Sequence, residues 1–296
     1  MPSSLLVRAA TSLELVRTIK LPSDLSGGAS VTSFLWSPSS TRVLVALTDQ
    51  IHVFSISGGD YHGYAQVPQP LSVKPAFVSF GATDDEVCVF SPVGLKLSIV
   101  NLASSKAVEI SNPKFFSTMS APKGFSFRAR SRHLALLTRV AGKDMISIHA
   151  AETREIQRSW YPDTVDAQGL AWTPDGKWLV VWDSPAHGTR VFFCAPDGHV
   201  FKEWRGVHPQ TETDDMDQYG PGVKTLAFSP NSRYTAVADG TSRICMLNDR
   251  LVEEVRLHHT QTIEPKETLQ VGARRIVFDA TLDGEANDRV RSGKNR

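Results

Sequence analysis

The chain has 296 residues, and its 32 Lys and Arg residues almost balance its 31 Asp and Glu residues. The formal net charge of +1 lacks the basic excess that is typical of proteins that bind nucleic acids or anionic membranes. No stretch reaches the ~20 apolar residues that a membrane-spanning helix needs. The composition therefore predicts a globular protein with neither nucleic acid nor a membrane as its partner.

The first predicted elements are two short strands, at Leu5–Arg8 and Leu13–Ile19. The arginines and serines of Met1–Arg17 would also fit a targeting peptide, but the alternation of apolar residues favours strands around a turn. Only two strands precede Trp36. The pair is therefore predicted to be the outer half of a four-stranded unit, over residues 3–24.

A unit of about 45 residues then recurs along the chain. In its strong copies an apolar run ends in Trp or Phe and a Ser/Thr-Pro-Asp/Asn-Gly/Ser-like turn follows. These copies are Phe34–Ser40, Leu170–Gly176 and Leu226–Ser232, with weaker copies at Val78–Asp84 and Phe125–Ser131. The last spacing is longer because an acidic insertion, predicted to be a solvated loop, occupies residues 212–217.

Each unit carries the signals of four short strands. In the fourth copy the turn is followed by apolar runs at Trp178–Trp182, Arg190–Cys194 and His199–Trp204, with Pro196-Asp197-Gly198 as a second turn. Helical periodicity is nowhere sustained. Repeated four-stranded units of this length predict an all-β fold, a β-propeller of WD-type blades. One blade cannot bury both faces alone, so the aromatic residue before each turn is expected to pack between blades.

The predicted organisation is a single propeller domain over residues 3–282. It comprises the half blade at 3–24, an extra strand within 270–280, and five full blades at about 28–70, 73–112, 121–162, 166–206 and 221–262. Residues 283–296 match no blade and are predicted to be a disordered tail. Five and a half blades predict an incomplete ring, because propellers of this repeat usually close with more.

The sequence contains residue types that are used in catalysis and metal binding, but they do not occur at the spacings that such sites require. Cys88, Cys194 and Cys245 lie far apart among apolar residues, which predicts buried, reduced thiols. The nine histidines include the adjacent pair His258-His259, whose side chains would point to opposite faces of a strand, and a surface role is expected for each. No nucleophile elbow, phosphate loop or zinc-binding spacing occurs. The sequence predicts no enzyme, no metal and no cofactor.

The dipeptide that names the WD repeat is also displaced. Trp182-Asp183 falls in a second strand, whereas the predicted third strands end in pairs such as Phe193-Cys194 and Leu247-Asn248. Without an Asp at that end, the usual buried Asp-His-Ser/Thr network is not expected in most blades. These blades are expected to depend on apolar packing instead.

Candidate binding residues are the large apolar side chains in loops between blades, because protein interfaces use aromatic side chains as anchors. They are Phe115, Phe116, Met119, Trp160, Tyr161, Trp204 and, in the acidic insertion, Tyr219. The alternative is that these side chains fill the seams between blades. For the adjacent pair Phe115 and Phe116, one structural and one binding side chain is expected.

Two consecutive units resemble a known family. Thr173–Ser184 with its second turn Pro196-Asp197-Gly198, and Gly222–Tyr234 with Ala236–Gly240, resemble blades of the WD-repeat protein of centrosomes and spindle pole bodies. This is the WD-repeat-containing antisense-to-p53 family. The resemblance covers most of residues 5 to 280, and its most specific motif is Val181-Trp182-Asp183. Members of the family are longer, with further blades.

The resemblance implies a non-enzymatic cytoplasmic scaffold on the cytoskeleton, at the microtubule-organising centre or spindle pole body. It would bridge a coiled-coil anchoring protein and a minus-end-directed kinesin of the kinesin-14 type during assembly of the mitotic spindle. An alternative of another class is a translation-initiation-associated propeller that binds ribosomal components, which the near-neutral charge disfavours. A propeller hydrolase is a further alternative, but it would require a set of catalytic residues that the sequence lacks.

Overall fold

The structure is a computed structural model that describes residues 4–21, 31–47, 50–56, 64–67, 77–91, 95–114, 124–184, 188–206, 222–239, 243–258, 276–278 and 290–292. All regular structure in these ranges is strand, and none of the described residues forms a helix that could cross a membrane. The strands form four-stranded and two-stranded antiparallel sheets. The prediction of an all-β fold of four-stranded units is confirmed.

The chain divides into two compact units, Met1–Pro113 and Lys114–Arg296. The first unit holds a two-stranded sheet, β1–β2, and two four-stranded sheets, blade 1 (β3–β6) and blade 2 (β7–β10). Its strands are β1 (Ser4–Arg8), β2 (Leu15–Lys20), β3 (Val31–Trp36), β4 (Arg42–Leu47), β5 (Ile51–Ser55), β6 (Tyr64–Gln66), β7 (Phe77–Phe80), β8 (Glu86–Ser91), β9 (Lys96–Asn101) and β10 (Ala107–Ser111).

The second unit holds blade 3 (β11–β14), blade 4 (β15–β18), blade 5 (β19–β22) and the two-stranded sheet β23–β24. The blade strands are β11 (Phe125–Phe127), β12 (Leu134–Val140), β13 (Lys143–His149), β14 (Ile156–Trp160), β15 (Gly169–Trp172), β16 (Leu179–Trp182), β17 (Arg190–Cys194), β18 (Val200–Arg205), β19 (Val223–Phe228), β20 (Tyr234–Asp239), β21 (Arg243–Asn248) and β22 (Glu253–His258). Strand β23 (Ile276–Phe278) pairs with β24 (Val290–Ser292), which lies in the segment predicted to be a disordered tail.

The turn after the first strand of a blade explains the Ser or Thr of the repeat. In blade 4 the buried Thr173 hydroxyl accepts a hydrogen bond from the Trp178 amide at 3.0 Å, and Gly176 adopts a φ of +71°. Ser37 and Ser229 make the same contact in blades 1 and 5. A hydroxyl that bonds the backbone five residues later closes the turn and brings the second strand beside the first.

Neighbouring blades are also linked through these turns. In the first unit, the Asp84 carboxylate of blade 2 accepts hydrogen bonds from Ser37 and Ser39 in the turn of blade 1. Partial burial raises the pKa of Asp84, but the hydrogen bonds from Ser39 and Thr41 outweigh this effect and lower the pKa to about 2. Within the second unit, the Asp175 amide of blade 4 donates a hydrogen bond to the Ser232 hydroxyl of blade 5 at 2.9 Å.

A repeated β-bulge shapes the outer half of three blades. The register between the third and fourth strands shifts at Ile148/His149, Phe193/Cys194 and Met246/Leu247, which are equivalent places in blades 3, 4 and 5. A bulge increases the local twist of a sheet. The bulge therefore twists the outer strand of each of these blades relative to the inner strands. The apolar pattern of the sequence does not reveal this bulge.

Apolar cores fill the seams within each unit. In the first unit, blades 1 and 2 share a core of Leu44, Ala46, Ile51, Val53, Val67, Val87, Val89 and Val100. In the second unit, blades 3 and 4 share a core of Ala135, Leu137, Ile146, Ile148, Ala167, Leu170, Trp172, Leu179, Val181, Phe192 and Cys194. A third core joins blades 4 and 5 through Phe193, Trp204, Val237 and Leu247, among others. The second and third strands of the blades supply most of these buried apolar side chains.

The aromatic residue before the turn behaves as expected in blade 4, where Trp172 is 5% exposed. Phe80 and Phe228 pack partly buried against the cores of their seams. The expectation is wrong for Trp36, which is 56% exposed. Val7 and Ile19 of the sheet β1–β2 pack against a core of blade 1 that does not include Trp36. The Trp36 ring therefore stays exposed.

Candidate protein-binding site

Four of the seven candidate binding residues, Phe115, Phe116, Met119 and Tyr219, lie outside the described residues. Three are described, and they differ in burial. Trp204 is 8% exposed in the core between blades 4 and 5. Its burial favours the alternative of a side chain that fills a seam, although the binding role itself stays a prediction.

Trp160 ends the outer strand of blade 3 and reaches the neighbouring blade. Its ring packs partly buried against the core between blades 3 and 4, and it lies over Gly198 in the outer turn of blade 4. A Cβ on Gly198 would lie 2.7 Å from the Trp160 ring, and Gly198 has a φ of +91°. Both facts require glycine at position 198. Most of the Trp160 ring therefore packs within the seam between blades 3 and 4.

Tyr161 is the one described candidate with an open ring, at 60% exposure. It begins the loop Tyr161–Gln168, which joins blade 3 to blade 4 and which we call the inter-blade loop. Val165, in the same loop, is 47% exposed. Large apolar side chains on an ordered loop are the features that a partner protein can use as anchors.

The carboxylate of Asp183 holds the middle of the inter-blade loop. It follows β16 and is fully buried, and it accepts hydrogen bonds from the amides of Val165 and Asp166. The Asp166 contact is 2.9 Å. The same carboxylate accepts from the Ser184 amide at 2.8 Å. These three hydrogen bonds to a buried carboxylate replace the hydrogen bonds that the amides would otherwise make with water.

A second buried carboxylate, Asp144, holds the end of the same loop. Asp144 lies in β13 with no exposed side-chain surface, and it accepts hydrogen bonds from the Ala167 amide and the Thr164 hydroxyl. The Lys114 ammonium lies 2.8 Å from one Asp144 oxygen and 2.7 Å from Asp166 in the loop. Arg139 contacts the same two carboxylates.

The charges around Asp183 are balanced in the same way. The Arg190 guanidinium lies 3.5 Å from Asp183 and donates to Glu203 at 2.7 Å. Partial burial raises the pKa of Glu203, but hydrogen bonds from Arg190 and Arg205 and the charges of both outweigh it and lower the pKa. Removing one member of a buried charged group costs about 3–5 kcal/mol, because the other member stays buried without its partner. The arrangement fixes the loop and leaves the side chains of Tyr161 and Val165 exposed.

These two carboxylates correct the expectation that the blades depend on apolar packing alone. Sequence reasoning placed Asp183 correctly at the end of a second strand but gave it no role, and it overlooked Asp144. The available signal was the position of each: a single acidic residue at one end of an apolar strand. Such an acid is rarely buried unless it is paired.

The surface role expected for every histidine is wrong for two of them. His52 and His149 are 1% and 2% exposed. The His149 imidazole lies 2.8 Å from the Ser147 hydroxyl and 2.8 Å from the Arg154 carbonyl oxygen. Burial lowers the pKa of His149 below its ordinary value of 6.5, and the Arg154 charge adds to this, while the hydrogen bond to the Arg154 carbonyl opposes it.

The three cysteines are buried, and none of them forms a disulfide, as predicted. Burial raises the pKa of the Cys194 thiol to about 11, so this thiol stays protonated at neutral pH. Among the described residues, no group of three or more His, Cys, Asp or Glu side chains could hold a metal ion.

No protein-family model matches the chain. Its homologues are WD-repeat-containing proteins, as the resemblance predicted. It is 25% identical over 154 residues to WD repeat-containing protein WRAP73 of Mus musculus, which covers 52% of this chain and 30% of that protein. It is 24% identical over 264 residues to an uncharacterized WD repeat-containing protein of Schizosaccharomyces pombe, which covers 86% of this chain and 50% of that protein. The chain spans half or less of the length of these curated relatives.

Solved structures with the same fold are β-propellers. The dihydro-heme d1 dehydrogenase NirN in complex with DHE has a TM-score of 0.59 at 14% identity, covering 87% of this chain and 53% of that one. The β-propeller domain of Cps50 (Swd1) from Myceliophteria thermophila has a TM-score of 0.52 at 16% identity, covering 87% and 81%. These likenesses are of fold alone, and they confirm the predicted propeller.

Proposed function

We propose that this chain is a non-enzymatic scaffold of the microtubule-organising centre, at the spindle pole body or centrosome. In this role it bridges a coiled-coil anchoring protein and a minus-end-directed kinesin of the kinesin-14 type. The observation that carries the proposal is the similarity of its blades to WD repeat-containing protein WRAP73. WD-repeat proteins generally act by binding other proteins, and this supports the coarser part of the proposal.

The inter-blade loop is the surface that we assign to partner binding. Asp144 and Asp183 fix its backbone amides, so little conformational entropy is lost when a partner binds. Tyr161 and Val165 offer apolar surface beside the exposed carboxylate of Asp163. A fixed loop with an aromatic anchor and a charged rim has the composition of a protein-binding hot spot.

A non-enzymatic role agrees with how the reactive groups are used. The Cys194 thiol has a raised pKa and is buried, so it is a poor nucleophile. The carboxylates of Asp144 and Asp183 accept hydrogen bonds from loop amides and lie beside cations, so each already has a structural use.

The test is the location of a fluorescently tagged chain in dividing cells. We expect foci at the spindle poles, and loss of the foci and of kinesin co-precipitation in Tyr161→Ser. Ile156→Ser is the matched control, because Ile156 is also 60% exposed but begins the strand that Tyr161 follows. Equal behaviour of the two variants would remove the loop from the proposal. Diffuse fluorescence with co-sedimentation on ribosomes would replace the proposal with the translation alternative.

A further inference from the structure

A pocket opens at the seam between blades 3 and 4, at the end of the sheets opposite the inter-blade loop. We call it the seam pocket. Its volume is about 280 Å³, close to the lower limit of the ~300–1,000 Å³ that is usual for small-ligand sites. It is lined by Arg128, His133, Ile148, Gln157, Arg158, Trp172 and Pro196. A cavity of this size fits one side chain or one small head group.

Two guanidinium groups of the pocket are held in place by backbone oxygens of blade 4. Arg128 donates through Nε to the Gly176 carbonyl at 2.7 Å and lies over the Trp172 ring. Arg158 donates through one terminal nitrogen to the Asp197 carbonyl at 2.9 Å. Each uses one N–H in this way, and the other N–H groups of each have no hydrogen-bond partner among the described residues. They are positioned donors for an anion.

Two polar atoms that belong to lining residues also lack partners, but both are buried behind the pocket surface. Trp172 is 5% exposed, and its buried indole N–H has no hydrogen-bond partner in the described part of the chain. The buried Nδ1 of His133 is unpartnered within the same residues. Neither atom has the accessible surface that a ligand in the pocket would need. The donors that a ligand can reach are therefore the two guanidinium groups.

None of the seven lining residues carries a carboxylate. The acidic groups of the surrounding turns are already engaged: Glu152 pairs with Arg132, and Asp175 and Asp197 accept hydrogen bonds within their own turns. The positive charge inside the pocket is therefore not neutralised there. The same exposed carboxylates surround the seam, and they would repel the flat anionic surface of a membrane.

We propose that the seam pocket binds a phosphate monoester carried by a partner protein, on a phosphoserine or phosphothreonine side chain. The phosphate oxygens would accept from the guanidinium groups of Arg128 and Arg158. This site is separate from the inter-blade loop and does not depend on a spindle-pole role. A protein that assembles its partners through one face would thus read their phosphorylation through the other.

Binding of labelled peptides to the purified full chain tests the proposal. The probes are three peptide libraries with mixed flanking residues and a fixed central phosphoserine, serine or glutamate, measured by fluorescence polarisation. We expect the phosphoserine library to bind at least about tenfold more tightly than the serine library, with glutamate weaker than phosphoserine. Inorganic phosphate should compete at higher concentration.

Variants separate the pocket from its surroundings. Arg158→Ala changes an exposed side chain and should weaken phosphoserine binding about tenfold. Arg132→Ala is the control, because Arg132 lies in the same turn as Arg128 but does not line the pocket. It should change binding less than about twofold.

Three results would overturn the proposal. The first is equal binding of the serine and phosphoserine libraries. The second is an equal loss in Arg158→Ala and Arg132→Ala. The third is binding of vesicles that contain phosphoinositides, lost in Arg158→Ala, without any binding of phosphopeptides; that result would assign the pocket to a lipid head group. Melting temperatures of all variants check that each remains folded.

Discussion

Two tryptophans hold the same place in the repeat and meet opposite surroundings. Trp36 of blade 1 and Trp172 of blade 4 each end a first strand and precede the same turn, yet they are 56% and 5% exposed. Their neighbours two residues earlier differ likewise: Phe34 is 52% exposed and Leu170 is 2% exposed. The repeat therefore determines the strand and the turn, whereas burial is determined by what lies against the blade.

The covering element explains the difference. The inner strands of blade 3 lie against Leu170 and Trp172, and Ala135 and Leu137 belong to the same core. In blade 1 the strands β1 and β2 pack through Val7 and Ile19 on a core that consists mainly of β4 side chains. That core does not include the rings of Phe34 and Trp36. The face that carries Phe34 and Trp36 is consequently open in the described structure.

The largest expected effect is the difference between these two tryptophans. Trp172→Ala should lower the free energy of unfolding by about 3–5 kcal/mol, because it removes a large ring from a packed core. Trp36→Ala should change it by less than about 1 kcal/mol, since the ring is already more than half exposed. Urea unfolding followed by circular dichroism measures both. Equal losses would show that another element covers Trp36 in solution.

A second test asks whether the covered seam also depends on its buried carboxylates. Asp183→Ala should cost about 3 kcal/mol, because Arg190 and the loop amides lose a buried acceptor. Asp163→Ala is the control: it also lies near Arg190, but its side chain is 93% exposed, and the expected change is below about 0.5 kcal/mol. The same unfolding measurement applies. A loss in Asp183→Ala as small as in the control would mean that apolar packing alone holds the loop.

A third test concerns the outer end of the same seam. Gly198→Ala should cost about 2 kcal/mol, since it combines an unfavourable φ of +91° with a Cβ that meets the Trp160 ring. Gly142→Ala has a similar φ of +79° but nothing within 4 Å of its Cβ, and should cost about 1 kcal/mol. The difference in melting temperature reports the contact with Trp160. No difference between the variants would argue against close packing at this point.

The smallest effect is a pH dependence inside blade 3. The pKa of the buried His149 is lower in the folded protein than its ordinary value of 6.5, so the unfolded chain binds the proton first as the pH falls. Stability from the neutral imidazole is present above pH 6.5 and is lost from there down to the lowered pKa. The wild type should therefore lose more stability between pH 7 and pH 5 than His149→Gln. Parallel curves would show that His149 does not titrate in this way.

Much of the fold could be predicted because the blade pattern is local. A strand that ends in an aromatic residue and a Ser/Thr-Pro turn needs only its own hydrogen bonds, such as the Thr173–Trp178 contact, and the sequence records it directly. The burial of Trp172 but not Trp36 depends on residues that are distant along the chain. The bulge at Phe193/Cys194 also leaves no trace in the apolar alternation.

The candidate site could be outlined only in part for the same reason. Tyr161 could be named as a candidate because aromatic loop residues are recognisable by type and position, and its binding role stays a prediction. The carboxylates that hold its loop could not, because a buried and an exposed aspartate look alike in one sequence until the donors around them are known. Asp144 receives its donors from Lys114, Thr164 and Ala167, which are 20 or more residues away.

The hydrogen bonds between the turns of neighbouring blades influence how the second unit unfolds. The Arg128–Gly176 and Ser232–Asp175 contacts place blade 4 between two partners, whereas its own strands β16 and β17 are buried almost throughout. Cooperativity in such an array passes only between nearest neighbours. Amide hydrogens of β16 and β17 should accordingly be the last of this unit to exchange with deuterium, since either flanking blade can fray while the other still protects them. The middle blade becomes the kinetic core of the unit through its position in the series.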